Sequence, residues 1–353
     1  MPHCPKLYNH ACIQLPGYYK PCCIYRLDPA IPPVWANDTS IAEYKNSKFI
    51  KRIKKEMKVG WHSGCLKCYE DEKAGRTSQR LEQRTDTEEK IKYIEVSLSR
   101  ECNLSCKICN PDFSTKWEAI YNSSNEIKKF MTIWPPTPDL NLDTVFNNLD
   151  ISELVKIKYL GGEPFIAPIT EEFFDFLDAK GITQNIQFTT NTNCTFFPKK
   201  YIQKLQKFKH VKIGLSIDGF NKSTEYSRTG ANWNVILKTL DDWIELKNIQ
   251  LSVTTTISAL TVHDFKNLKN LCQEKNIHLS YFVLDNPDHL QLNALPPSYI
   301  ESIKDDSNEI FFGNYKYNEE LFKKLKKFIQ VSDAAQKINI CDYLPNLAKY
   351  LDK

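Results

Sequence analysis

Nowhere does the 353-residue sequence run together the roughly 18 apolar residues that a membrane span requires, so a helical membrane protein is excluded from the reading. The N-terminal Met-Pro-His-Cys-Pro has no basic segment followed by an apolar one, and the expected setting is the cytosol, with no membrane partner. Internal repeats are absent, and the composition is that of an ordinary globular chain, not a disordered one. Net charge is only +4, too little to imply nucleic-acid binding by itself. Its distribution is uneven, because residues 41–58 hold seven Lys or Arg against two Glu.

What the chain does have is cysteine. Twelve are many for a cytosolic protein, where structural disulfides are not expected, and they point to metal or cluster ligation. The chain is also long enough for one large α/β domain plus an appended module.

Residues 1–90 read as irregular. A hairpin is expected where Ala11–Leu15 and Tyr18–Ile24 flank Pro16-Gly17, and a basic helix over Ile41–Lys58, with Ile41, Phe49, Ile50, Ile53 and Met57 toward a core. Glu70–Lys90 reads as helix and linker, which places a domain boundary near residue 90. Beyond it, short apolar runs alternate with amphipathic stretches, the pattern of βα units around a parallel sheet. Strands are expected at Tyr93–Leu98, Ile157–Leu160, Ile186–Thr190, Val211–Ile217, Leu251–Ile257 and His278–Leu284. Helices are expected near Thr115–Lys129, Thr170–Ala179, Lys199–Phe208, Val235–Leu246 and Asp264–Lys275. Pro135-Pro136-Thr137-Pro138 must be a loop. Six strands predict a partial (β/α)6 TIM-like barrel over 91–290, preceded by a cysteine-rich module at 1–90 and closed by C-terminal helices at 291–353.

Directly after the first βα-type strand stands Cys102-Asn103-Leu104-Ser105-Cys106-Lys107-Ile108-Cys109. Three thiolates in one C-x3-C-x2-C loop suit three irons of a [4Fe–4S] cluster and leave the fourth without a protein ligand, whereas a structural zinc site wants four closed ligands. One βα unit later comes Gly161-Gly162-Glu163-Pro164.

The triplet and this GGEP element resemble the radical S-adenosylmethionine (SAM) superfamily over about residues 91–290. The resemblance implies a cluster held by Cys102, Cys106 and Cys109 that binds SAM at its open iron and cleaves it to a 5′-deoxyadenosyl radical. It also implies that Gly161, Gly162, Glu163 and Pro164 contact the SAM amino group. Thr190 and Asn191 after the third strand, and Ser216 and Asp218 after the fourth, resemble positions lining the SAM ribose or the substrate; as loop residues they are also good helix caps. Arg228 resembles an arginine of peptide-modifying members and suits either the SAM carboxylate or a surface ion pair.

In the N-terminal segment, Cys4, Gly17 and Cys22 stand as C-x12-G-x4-C, followed by Cys65-Leu66-Lys67-Cys68. This resembles the auxiliary-cluster modules called twitch and SPASM, although in those families the module follows the barrel. The implied site is a second [4Fe–4S] cluster on Cys4, Cys22, Cys65 and Cys68; a Zn(Cys)4 site satisfies the same spacing. The glycine spacing favours Cys22 over its neighbour Cys23, Cys12 is an extra, and Cys194, Cys272 and Cys341 read as semi-buried.

The function expected from the resemblance is hydrogen-atom abstraction from a peptide or protein, with an external electron donor such as flavodoxin or ferredoxin. The alternatives are modification of RNA or a nucleotide, for which the basic helices at Lys45–Lys58 and Lys323–Lys327 are the argument, and a non-catalytic iron–sulfur redox protein. Basic faces are common without nucleic acid, and an electron carrier has no use for a GGEP element. No hydrogen donor or general base is assigned; Tyr281, Asp285 and His289 are candidates by location.

Overall fold

A computed structural model describes residues 2–81, 88–131, 133 and 140–351. The proline segment at 135–138 and part of the stretch read as a linker lie outside them. Among the described residues there are eight strands: β1 His10–Gln14, β2 Tyr18–Lys20, β3 Tyr93–Ser97, β4 Lys156–Leu160, β5 Gln187–Thr192, β6 His210–Ser216, β7 Ile249–Ile257 and β8 His278–Val283. Their order in the sheet is β2-β1-β3-β4-β5-β6-β7-β8.

All six expected strands occur, as β3 to β8, and the hairpin occurs as β1 and β2. The hairpin's place differs from the expectation. Strand β1 pairs in parallel with β3, Ala11 opposite Ile94 and Ile13 opposite Val96, with Ala11 and Ile13 buried. A boundary near residue 90 therefore does not separate a module from the sheet. Compactness divides the chain into a first unit (Met1–Arg100, Pro135–Thr190, Lys200–Val211) and a second (Glu101–Trp134, Asn191–Lys199, Lys212–Lys353).

Two expected helices are each broken by a serine. Ser47 ends Ile41–Asn46 and caps Lys48–Glu56, its side chain accepting the Ile50 N–H; Ser124 does the same between Thr115–Ser123 and Asn125–Phe130, accepting from Ile127. A serine side chain competes with the helix for backbone partners, and apolar periodicity does not register that competition. In the first unit Ile50, Ile53 and Met57 are buried, while Arg52 pairs with Glu56 and Lys54 with Glu89.

In the second unit the helix Glu319–Gln336 buries Leu325, Phe328 and Ile329 in a large apolar cluster. Of its lysines, Lys323 pairs with Glu319 and Glu320, and Lys324 with Asp288. Two shorter helices, Pro297–Ile303 and Pro345–Leu351, accompany it. Among the described residues no helix is long and apolar enough to cross a membrane.

His289 lies in this core, its ring 4.4 Å from that of Phe328 and 5.3 Å from that of Phe130. Burial pushes its pKa down to about 4, against the upward pull of Asp288. The unfolded chain takes up the proton near pH 6.5, so the stability gained by keeping this ring neutral is complete above about 6.5 and is lost as pH falls through about 4. His289→Phe is expected to remove up to ~3 kcal/mol of the acid-induced loss. Urea midpoints between pH 7 and 4 measure it; an unchanged pH slope would refute it.

Candidate functional site

The cysteine loop of the second unit has no regular secondary structure, yet its backbone is closely held. Cys102 N–H donates to Thr115 Oγ1 (3.2 Å), Leu104 C=O accepts from Ser114 Oγ (2.7 Å), and Cys106 C=O accepts from Trp117 Nε1 (2.7 Å). Ser105 N–H donates to Thr229 C=O (3.0 Å) and Lys107 N–H to Ser227 C=O (2.7 Å). These bonds satisfy much of the loop's backbone with partners elsewhere in the unit.

Arg228 stands between those two acceptors. Its Nε lies 2.9 Å from Asp218 Oδ2, a buried ion pair whose angle falls short of a hydrogen bond, and Asp218 Oδ1 accepts the Thr256 N–H at 2.8 Å. Burial works against the guanidinium charge, but Asp218, Cys106 and Cys102 outweigh it and raise the pKa. Cys106 is pushed up to about 12, by burial first, with Arg228 pulling down and Cys102 and Asp218 pushing up. Cys109 is raised by burial and then by Cys106 and Cys102. The three thiols thus share one neighbourhood with a guanidinium that would offset the negative charge of their ligating form.

Asn191 stands in the same unit, beside Gly214. A Cβ on Gly214 would strike the Asn191 amide oxygen, so the glycine makes that side chain's room. Ser216, at the end of β6, is half-buried.

The GGEP element belongs to the first unit. Gly161 serves the chain itself. A Cβ there would sit 2.7 Å from the Ser99 carbonyl oxygen, which also accepts the Gly162 N–H at 3.0 Å. Glu163 is buried at 1% exposure, Thr190 is wholly buried, and the Pro164 carbonyl accepts the Thr170 hydroxyl.

Cys4, Cys22, Cys65 and Cys68, from three separated segments of the first unit, line one small cavity of ≈ 20 Å³ with Tyr25 and Arg80. Cys65 ends a 3-10 turn, Ser63–Cys65, and Cys68 lies in the helix Leu66–Lys73. Their loop is clamped: Gly64 N–H donates to His62 Nδ1 (3.0 Å), which is 3.3 Å from the Tyr25 hydroxyl, and Arg26 N–H donates to Gly64 C=O (3.0 Å). Arg80 is fixed by Glu72 (2.7 Å) and by the His3 carbonyl (2.7 Å). Burial pushes Cys22 and Cys65 up to about 12, and Cys65 is raised further by Cys4, Cys22 and Cys68. Cys23 and Cys12 do not line the cavity; burial and then Glu95 raise both. Among the described residues no group of three or more His, Cys, Asp or Glu side chains is arranged to hold a metal ion.

One feature escaped the sequence reading. In-register neighbours on four strands of the first unit form two polar rows, His10-Tyr93-Lys156-Gln187 and Cys12-Glu95-Lys158-Thr189. Tyr93 donates to Glu95 (3.1 Å), Lys158 is 3.4 Å from Glu95, and Lys156 lies 4.6 Å over the Tyr93 ring. The signal was the alternation Lys156-Ile157-Lys158-Tyr159, since a parallel strand covered on both faces would be continuously apolar.

The three residues named by location near β8 differ in their surroundings, Tyr281 and Asp285 being exposed and His289 buried. Tyr281 packs edge-on against Phe265 and Phe311, the Asp285 carbonyl accepts from Gln291, and His289 is in the core. Cys194 and Cys272 are buried, but Cys341, expected to be semi-buried, is exposed.

The sequence model of the Radical SAM superfamily matches residues 96–272, half of the chain. The chain belongs to that superfamily, and membership implies a [4Fe–4S] cluster and SAM. Among curated proteins it is 24% identical over 199 residues to a GTP 3',8-cyclase of Desulforamulus reducens, covering 55% of each chain. It is 28% identical over 218 residues to the radical SAM cyclopropyl synthase TigE of Paramaledivibacter caminithermalis, covering 58% of this chain and 44% of that one. The chain thus spans about half the length of these relatives. Among solved structures, Streptococcus suis SuiB aligns with a TM-score of 0.39 at 16% identity, covering 70% of this chain and 47% of that one.

Proposed function

We propose that the protein is a cytoplasmic two-cluster radical SAM enzyme that modifies a peptide or protein. Cys102, Cys106 and Cys109 would hold the SAM-binding cluster, and Cys4, Cys22, Cys65 and Cys68 the second. The observation that carries the two-cluster reading is the single cavity lined by four cysteines from three separated segments. Four thiols border one space, as a cluster in which each iron takes one thiolate would need, although they do not stand at metal-ligand spacing in this structure. When bound, the first cluster and SAM supply a 5′-deoxyadenosyl radical that removes a hydrogen atom from an unactivated carbon. Around them Arg228 balances thiolate charge and is oriented by Asp218; Gly161, Gly162, Glu163 and Pro164 are assigned to the SAM amino group, and Thr190, Asn191 and Ser216 to its ribose or the substrate. The electron would come from an external carrier. Anaerobic reconstitution is expected to load about eight irons per chain. Four irons with one zinc would move the N-terminal site to the zinc reading.

A nucleotide substrate is the second reading, favoured by Lys156 and Lys158 on the polar sheet face and by the GTP named for several relatives. With SAM and reductant present, GTP is expected to leave 5′-deoxyadenosine formation at its uncoupled rate. A more than tenfold stimulation, lost in Lys156→Gln/Lys158→Gln, would overturn the peptide reading.

A further inference from the structure

Cys106 is flanked by two residues pinned to one distant helix. On one side, Lys107 Nζ donates to Asp333 Oδ1 (2.6 Å) and Ser332 Oγ (2.8 Å) and lies 4.7 Å over the Tyr226 ring, with no side-chain exposure. On the other, Gln336 Nε2 donates to Ser105 C=O (2.6 Å) and Ser105 Oγ (3.0 Å), and Thr229 Oγ1 reaches Gln336 Oε1 at 3.4 Å. Asp333 is filled on both oxygens: Oδ1 also accepts the Tyr226 hydroxyl (2.8 Å) and Oδ2 the Ile340 N–H (2.8 Å). Lys107 and Asp333 are more than 200 residues apart in sequence.

Burying a lysine head is costly, and an apolar pair of similar volume would often serve packing as well or better. What an ion pair adds is direction. It fixes the lysine stem, and with it the backbone between Cys106 and Cys109, to one register on the helix.

We propose that the helix Glu319–Gln336 is the positioning element of the cysteine loop, with Asp333 and Gln336 holding Lys107 and Ser105 and through them orienting Cys106 and Cys109 toward the cluster. The proposal rests on the reading that Cys102, Cys106 and Cys109 are its ligands. Lys107 and Asp333 also place opposite charges beside the site, so each affects its electron affinity in a predictable direction.

The test uses the full chain. In Gln336→Ala, amide hydrogen exchange across 103–109 is expected to rise about tenfold with little change in Tm, as the loss of hydrogen bonds local to the loop requires. Iron release to a chelator should accelerate by a similar factor. Lys107→Met should move the midpoint potential of the three-cysteine cluster more negative and Asp333→Asn more positive, because removing a positive or a negative charge has opposite effects on taking up an electron. A purely structural contact would shift both the same way, or cause only iron loss. Should either single variant fail to fold, Lys107→Met/Asp333→Leu removes both charges and is expected to fold while the loop exchanges faster than in wild type. Wild-type exchange in both Gln336→Ala and the double variant, or midpoint shifts of one sign, overturns the proposal. The exchange measurement needs no iron, so a failure of the ligand assignment, seen as iron binding indifferent to the three cysteines, is read separately.

Discussion

Changing Cys102, Cys106 and Cys109 together to Ala is expected to leave about half the iron of the reconstituted wild type, about four per chain, and to abolish SAM cleavage. The fold should survive. The loop's backbone bonds to Thr115, Ser114, Trp117, Thr229 and Ser227 involve no thiol, so nothing that shapes it is deleted. The local charge should change more than the structure. Arg228 keeps Asp218, but the thiols that also favour its charge are gone. Iron and 5′-deoxyadenosine, measured on the same preparation, decide the matter: undiminished iron, or SAM cleavage at the wild-type rate, would remove these cysteines from the first site.

The parts of the fold legible in the sequence are those governed by local periodicity. Strands β3 to β8 and the hairpin strands announce themselves as short apolar or alternating runs between turn residues. The parallel pairing of β1 with β3 does not, because the register of Ala11 against Ile94 lies across some eighty intervening residues and leaves no local trace. The helix breaks at Ser47 and Ser124 were hidden for another reason. A serine keeps the apolar spacing of its neighbours undisturbed while its side chain takes over a backbone donor.

Much the same division holds at the site. The cysteine spacings could be seen directly, since a ligand set in one loop is a local pattern. Arg228 could be noticed but not its partner, because its pairing with Asp218 depends on how the segment after β6 folds back. The clamp from Asp333 and Gln336 was wholly invisible. Within the amphipathic pattern of the last long helix, both are simply polar residues near its C-terminal end. Only the fold shows that one faces a buried lysine from the cysteine loop.

Changing Cys65 and Cys68 together to Ala is expected to remove the other half of the iron while SAM cleavage by the first site persists. Both sit beside a rigid clamp, with Gly64 bound to His62 and Arg26, so the cavity should outlast the loss of its thiols. Burial holds Cys65 in its protonated form in the metal-free chain, and the thiolate of the loaded site must come from metal binding itself. Binding then adds to stability by mass action, and reconstituted wild type should melt well above its chelated form. In the double variant that difference should shrink to what the first site contributes. Cys23→Ala is the matched control: Cys23 adjoins Cys22 in sequence yet lies outside the cavity, so iron and melting temperature should stay at wild-type values. If Cys65→Ala/Cys68→Ala instead keeps all its iron and loses one zinc, the N-terminal cysteines form a structural zinc site; if Cys23→Ala loses iron as the double variant does, the ligand set must be redrawn to include it.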